Sequence, residues 1–472
     1  MSRHAPSLGP SRGLNRRRLA PVSDALLLLV GALAIWGPPA IRPVTADRPL
    51  SAALEGPAAL DPAALFQVAS WLLAGTVAAI WVVRHLARRT LALDSLLSDR
   101  PVRWYLLFGV LAVASAVYSV DPAYTLYFAA RIGVGMLVLA LIAWHGGPEG
   151  ATRPLKLAFA VFGLQAVAIS VLWTIDPTLV TELDGPTHRM RLTGGVLPDY
   201  GASALVVGLY LLTLALFGDS VRQRIAGAIG YGASWVLVVA SATRSTMATA
   251  LLFGMIMAMA HPRLRNKLWL LGLMVVVALG GLVPAVGASV VGVLTRHGEG
   301  LADLSGRTTA FTYLLSQWRL SPVIGHGFAA GTRAALIPFV EETGLGIGAG
   351  HDTVSTVLVD LGVVGALILL IALVSAWRVM LRLWRTVPWT HPSRTLVHQL
   401  VCLLAWITLS GIVDPGIAGG SVPFELVLVT LWAFRTFEPE AEPAELRKPE
   451  STRRHTARGA PTTAAHAPRT VA

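Results

Sequence analysis

Cysteine is nearly missing from this 472-residue chain: the single one, Cys402, lies inside an apolar run. That excludes an intrachain disulfide and any cysteine-built metal centre. Charge is also scarce. Charged residues make up 14% of the chain, where an ordinary soluble domain carries roughly a quarter. Lysine occurs only at Lys156, Lys267 and Lys448, so the basic residues are almost all arginine, a bias expected of a high-GC bacterial genome. No pair of carboxylates, metal-ligand cluster or nucleophile elbow stands out, and neither a metal nor a cofactor is expected. The glycines of GLGIG at 344–348 have no strand before them and no Lys-Ser/Thr after them, which excludes a Walker-type nucleotide loop.

Apolar sequence is abundant, at 54% of residues. Runs of about 20 apolar residues recur along the chain, each long enough to cross a bilayer as a helix and too long for a barrel strand. The expected fold is therefore all-α: a polytopic membrane protein of about twelve transmembrane helices. The runs fall at 24–41, 63–83, 104–119, 124–144, 155–175, 200–218, 225–241, 245–260, 267–288, 353–377, 395–413 and 421–437. A large external loop with amphipathic helices separates the ninth and tenth spans. Residues 24–46 end in VTA before Asp47, which resembles a signal-peptidase site. The leader would be unusually long, so the segment is read as a retained span.

The formal charge of +12 does not point to nucleic acid, because the basic residues collect at span ends and in the tails. That is the signature of topology and of contact with lipid headgroups. Arg12, Arg16, Arg17 and Arg18 precede the first span; Arg84, Arg100, Arg153, Arg222, Arg263, Arg378 and Arg394 mark every second connection. Loops 119–123 and 414–420 have no Lys or Arg. Both termini are thus expected in the cytoplasm of a bacterium, with the inner membrane crossed repeatedly. Three regions follow: a basic tail at 1–23, the membrane domain at 24–437, and a disordered basic tail at 438–472, rich in Pro, Ala, Thr, Glu and Arg.

This topology gathers unusual polar residues on the outer face, in loops 176–199 and 289–352 and in the short SATRS corner at 241–245. Arg189, Arg191, Arg244 and Arg307 oppose the orientation signal there. They are ordinary solvated or snorkelling arginines, or they form an anion clamp, since guanidinium offers a fork of donors matched to phosphate. From Ser305 the pattern fits an amphipathic helix stopping before Pro322, with Arg307, Phe311, Leu314 or Leu315, and Trp318 on one face. Such a helix lies on the membrane with Phe and Trp dipping in. The short segment TRAALIPFVEE follows. His351 then stands just before a long span that Asp352 or Thr353 caps. The positive end of the helix dipole disfavours imidazolium, so a neutral His351 can accept a proton, and the same end can hold an anion. A histidine hydrogen-bonded within its loop is the plainer alternative. Arg131, in YFAARIGVG, sits about a third of the way into a span and is a functional candidate by position. It could equally pair with Asp121 or Asp414. The spans otherwise contain few charges beyond Asp360.

RLTGGVLPD at 191–199, SATRS at 241–245, SGRTTAFTYLLSQWRLSPVIGHGF at 305–328 and GHDTVSTVLVDLGVVGALILL at 350–370, in this order and on one side, resemble the O-antigen ligase and O-antigen polymerase superfamily of bacterial membrane glycosyltransferases. The likeness runs over roughly residues 100–435. It implies transfer of a glycan from a polyprenyl-diphosphate carrier to an acceptor hydroxyl on the outer side of the membrane, by a metal-independent, inverting reaction. It also implies that Arg191, Arg244 and Arg307, with Arg189 nearby, bind the diphosphate, that His351 orients or deprotonates the acceptor, and that Asp352, Arg131 and Trp318 support the site. The partners would be the lipid-linked donor, a glycan, glycolipid or protein acceptor, and the bilayer. The chain departs from the family in carrying Asp352 and Asp199 where Asn is common, and Phe311 where Trp is common. Two other functions compete: a transporter or flippase of lipid-linked glycans, which calls for polar residues near the bilayer midplane, and a non-catalytic scaffold of envelope assembly.

Overall fold

The computed structural model of the chain describes residues 21–36, 62–87, 93–146, 149–184, 189–192, 200–241, 244–260, 307–343, 352–388, 391, 393–412 and 422–437. The expected ninth span, residues 289–306, His351, the VTA–Asp47 site, residues 1–20 of the N-terminal tail and the C-terminal tail lie outside the described residues. The first helix takes in residues 21–23 of the expected N-terminal tail.

The described residues form fourteen α-helices and one small hairpin. The helices are α1 (Pro21–Trp36), α2 (Pro62–Ala87), α3 (Leu93–Ser98), α4 (Arg100–Ala114), α5 (Pro122–His145), α6 (Arg153–Ile175), α7 (Tyr200–Phe217) and α8 (Val221–Ala240). They continue as α9 (Arg244–Ala260), α10 (Arg307–Trp318), α11 (Ala330–Thr343), α12 (Thr353–Thr386), α13 (Arg394–Ser410) and α14 (Val422–Phe437). The segment Arg100–Val117 and helices α5, α6 and α12 are long and apolar enough to cross a membrane, and Ala69–Arg84, Gly201–Phe217, Thr246–Met257 and Arg394–Ser410 are shorter apolar helices. The described residues are all-helical apart from one small hairpin. In the loop between α6 and α7, β1 (Thr181–Asp184) pairs antiparallel with β2 (Arg189–Leu192).

Local sequence starts these helices where their first N–H groups find acceptors. The Asp99 carboxylate accepts from Val102 N–H (3.4 Å) with Pro101 following, and Asp121 accepts from Tyr124 N–H (3.0 Å) with Pro122 following. Proline in the first turn loses no helical hydrogen bond. Ser220 and Gln223 close a reciprocal capping box on α8. One large core joins α4 to α7, α9 and α12 to α14, and a smaller one ties α1 and α2 to α5. Large apolar side chains remain outside both, among them Leu72, Ile80, Val110, Leu164, Val167, Ile229, Leu251 and Leu367. A helix apolar on its outer face as well as its inner one belongs in lipid.

The bundle has two distinguishable ends. At one, the Arg435 guanidinium donates to the Asp99 carboxylate (2.7 Å), Trp432 Nε1 donates to Ser95 Oγ (3.3 Å), and Trp144 packs on Phe437. Arg394 donates there to the carbonyls of Trp384 (2.6 Å) and Val387 (2.7 Å), satisfying the end of α12. At the other end, residues 115–125, which join α4 to α5, meet the segment 319–332. The first is the basic end; the second is called the loop end below.

Candidate active site

The loop end is built around a break in α12. Gly362 has φ 63° and ψ −165° inside an otherwise helical run. In an unbroken helix, Val363 N–H would reach the Val359 carbonyl and Val364 N–H the Asp360 carbonyl. Here the segment 322–327 takes over all four groups. Val363 N–H donates to Pro322 O (2.9 Å) and Val364 N–H to Val323 O (3.3 Å). In return, His326 N–H donates to Val359 O and Gly327 N–H to Asp360 O, both at 2.9 Å. None of these four groups is left stranded by the kink. A Cβ at Gly362 would collide with the Val323 carbonyl, so the residue is required by both its dihedral and its neighbour.

The Asp360 side chain is buried and finishes the graft. Its Oδ2 accepts from Ala329 N–H (2.9 Å) and its Oδ1 from Thr332 N–H (2.7 Å), so an acid of α12 caps the start of α11. The same loop is fastened to the α4–α5 corner. Tyr118 OH donates to Ile324 O (2.7 Å), Ser115 Oγ accepts from Phe328 N–H (3.0 Å), and Thr125 Oγ1 donates to Phe328 O (2.9 Å). Arg333 lies over the Tyr124 ring (4.6 Å) and pairs with Asp121 at 3.8 Å.

Asp352 is the N-cap of α12. Its carboxylate accepts from Ser355 N–H (2.6 Å) and from the Ser355 hydroxyl, and its carbonyl accepts from Thr356 Oγ1 (2.6 Å). Thr353 N–H donates to the Gly411 carbonyl (2.8 Å), which ties this helix start to the end of α13. The first turn of α12 thus presents its positive end beside the residue where His351 enters.

The four arginines stand at element boundaries, and their backbones alone are described. Arg307 opens α10. That helix packs through Ala310 and Leu314 against Leu336, Phe339 and Val340 of α11 and Val359 of α12. The packed stripe keeps Leu314 and Trp318 of the expected face and takes Ala310 in place of Phe311, which is 39% exposed. Trp318 Nε1 donates to Pro322 O (2.9 Å), so this tryptophan pins α10 to the grafted loop. Arg244 opens α9. Arg189 and Arg191 lie in β2, in register with Asp184 and Glu182 respectively. Val180, just before β1, packs with Leu237 and Ala240 at the end of α8. That brings the hairpin of Arg189 and Arg191 to the corner that leads into Arg244. An acid across from each hairpin arginine was not expected from sequence, because the loop gave no alternating pattern long enough to read as strands.

Arg131 stands apart from this cluster. It lies over Trp71 (5.2 Å) and Phe128 (5.3 Å). Neither carboxylate offered by the sequence is its partner in the described structure: Asp121 faces Arg333, and Asp414 lies outside the described residues. Sequence reading passed over another buried acid of the spans, Glu425 of α14, which makes no ion pair with Arg131 among the described residues. Glu425 is fully buried beside Tyr105. A Cβ on Gly135, near the middle of α5, would strike that carboxylate. A single acid in the first turn of an apolar helix was the available signal. Among the described residues, no three His, Cys, Asp or Glu gather as a metal site.

Residues 229–370 match the family model of O-antigen ligase. No curated protein sequence matches the chain significantly. The matched segment contains Arg244, Arg307, the grafted loop, His351 and the kink of α12, and stops short of Arg189 and Arg191. It supports the O-antigen ligase superfamily, a glycosyltransferase-like role in cell-surface polysaccharide synthesis, and residence in a bacterial membrane.

Proposed function

We propose that this chain, an O-antigen ligase-like membrane protein across residues 229–370, moves a glycan from a polyprenyl-diphosphate carrier to an acceptor hydroxyl at the loop end of its bundle, outside the inner membrane. In this reading the acceptor oxygen attacks the anomeric carbon from the face opposite the diphosphate. The C–O bond to the carrier breaks, its electron pair leaves on the diphosphate, and the anomeric configuration inverts. His351 takes the hydroxyl proton, a step that a positioned base accelerates by about 10²–10⁴-fold. Arg244 and Arg307, with Arg191 and Arg189 from the hairpin, hold the diphosphate. Its charge grows as the bond breaks, so fixed cations stabilise the transition state more than the ground state. No metal is assigned a step. Residues 1–23 and 438–472 are the cytoplasmic tails of the same membrane domain.

The observation that carries this reading is the helix start at Asp352. It is a well-capped N-terminus inside the matched family segment, directly after a histidine, and held in place by the graft at Gly362. A helix N-terminus favours a neutral imidazole and a nearby anion together.

The test replaces His351 with Ala at the native locus and measures lipid-linked glycans by mass spectrometry. Accumulation at normal protein level is expected. Single repeat units piling up would identify a polymerase, long chains a ligase. An unchanged pool with a normal envelope would remove His351 from catalysis. The transport reading would then lead, because Arg131 and Glu425 are ionisable residues within apolar helices, as it calls for.

A further inference from the structure

The basic end contains a hollow that the proposed transfer does not use. It has a volume of about 350 Å³ and lies between α4, α12 and α14. Its walls include Arg100, Arg378, Arg382 and Arg435, with Ser98 and Ser375. Arg435 is matched by Asp99, which is buried behind it. The guanidiniums of Arg100, Arg378 and Arg382 have no hydrogen bond or ion pair to any described residue. The rule that places arginine on the cytoplasmic side explains their presence at this end. It does not explain why these three exposed arginines line one hollow, where a bound anion would lower their mutual repulsion.

A second observation concerns what lies above the hollow. On α12, Val364, Leu367, Ile371, Ser375, Arg378 and Arg382 follow one another at spacings of three and four, so they share a face. Its outer half is apolar and exposed: Val364 37%, Leu367 53%, Ile371 38%. On α4, Leu107 and Val110 continue the face of Arg100 and are likewise exposed. At 1.5 Å of rise per residue, Ile371 stands about 10 Å above Arg378. Cationic forks at the bottom and bare hydrocarbon above reproduce the amphiphilic profile of a phospholipid.

We propose that this cleft binds the phosphate group of an anionic membrane lipid, with the acyl chains lying along α4 and α12. Arginine forks match phosphate oxygens bidentately, and basic pockets between transmembrane helices suit such headgroups. The site is at the opposite end from the transfer chemistry and does not depend on it.

The full-length protein, purified in a neutral detergent, tests this by native mass spectrometry and thermal unfolding during titration with phosphatidylglycerol. Phosphatidylcholine and sn-glycerol 3-phosphate are titrated in parallel. A retained one-to-one phosphatidylglycerol adduct and a raised Tm are expected, with binding weakened at least tenfold in Arg378→Gln/Arg382→Gln and in Arg100→Gln. Arg222→Gln, an exposed arginine elsewhere, should bind as the wild type does. Equal stabilisation by phosphatidylcholine, or an equal loss in Arg222→Gln, would overturn the site in favour of unspecific adsorption. Full stabilisation by sn-glycerol 3-phosphate alone would overturn the lipid and leave a soluble phosphate as the ligand.

Discussion

Asp360 carries more of the loop end than any arginine whose side chain is described. Its two oxygens each accept one backbone N–H, from Ala329 and Thr332, in a buried setting. Truncation to Ala strands both donors, and an unsatisfied buried group costs about 1–3 kcal/mol. Asp360→Ala should therefore lower the Tm measured in detergent and release α11. Asp360→Asn, which keeps one acceptor oxygen, should fall between Ala and wild type. Equal melting of all three would remove Asp360 from the architecture. The sequence displayed this acid as an oddity in an apolar run but could not name its partners, which lie 31 and 28 residues away. Arg131 teaches the same lesson with the opposite sign. Sequence proximity offered Asp121, whereas packing gives Asp121 to Arg333 and lays Arg131 over Trp71 and Phe128, contacts that no spacing rule reaches.

At the scale of elements, the helices were legible because apolar runs and caps are local signals. Asp99, Asp121 and Asp352 all start helices where a carboxylate meets free N–H groups. The break in α12 was not legible, since VDLGVV reads as uninterrupted span and the compensating groups come from 322–327. Gly362→Ala should be destabilising for two additive reasons. Its φ of 63° with ψ of −165° is a region essentially restricted to glycine, at a cost of about 1–3 kcal/mol to an L-residue, and its Cβ strikes the Val323 carbonyl. The expected result is a sharp fall in folded protein, by fluorescence-detected gel filtration. Gly133→Ala is the control, because a Cβ there meets nothing within 4 Å. If both variants accumulate alike, the graft is not needed for folding. The corner at α4 and α14 gives a pH prediction. Burial raises the Asp99 pKa against the lowering effects of Arg435 and Val102 N–H. The folded state then holds its proton more tightly than the unfolded chain. Its contribution to stability falls as pH rises from the ordinary carboxylate value to the raised one, and is constant above. Asp99→Asn retains a capping side chain and should flatten that dependence in thermal melts between pH 4 and 7. Parallel slopes for variant and wild type would refute the assignment.

Across the whole molecule, the strongest regularity is the separation of its ends. The α4–α5 corner, the grafted loop and the start of α11 are joined by hydrogen bonds at one end. Asp99, Arg435, Trp144, Phe437 and the arginine hollow sit at the other. This division emerges from packing alone, yet it sorts the connections as the arginine count along the sequence does: Arg100, Arg378, Arg382 and Arg394 fall together. Two independent signals, one electrostatic and local, one geometric and long-range, thus agree on which loops are neighbours. They leave open which end meets the cytoplasm, and the positive-inside rule supplies the sign. Cys402 is fully buried, so Cys402→Ser gives a background with no thiol of its own. On it, a cysteine at Leu179, which is 46% exposed before the hairpin, should react with a membrane-impermeant maleimide in intact spheroplasts. Cysteines at Ser98 or Asp219, both exposed, should react only after permeabilisation. Reaction of Ser98→Cys and Asp219→Cys in intact cells, with Leu179→Cys protected, would invert the molecule. The grafted loop and His351 would then face the cytoplasm, where a transferase acting on exported glycans has no substrate, and the arginine hollow would meet the outer leaflet.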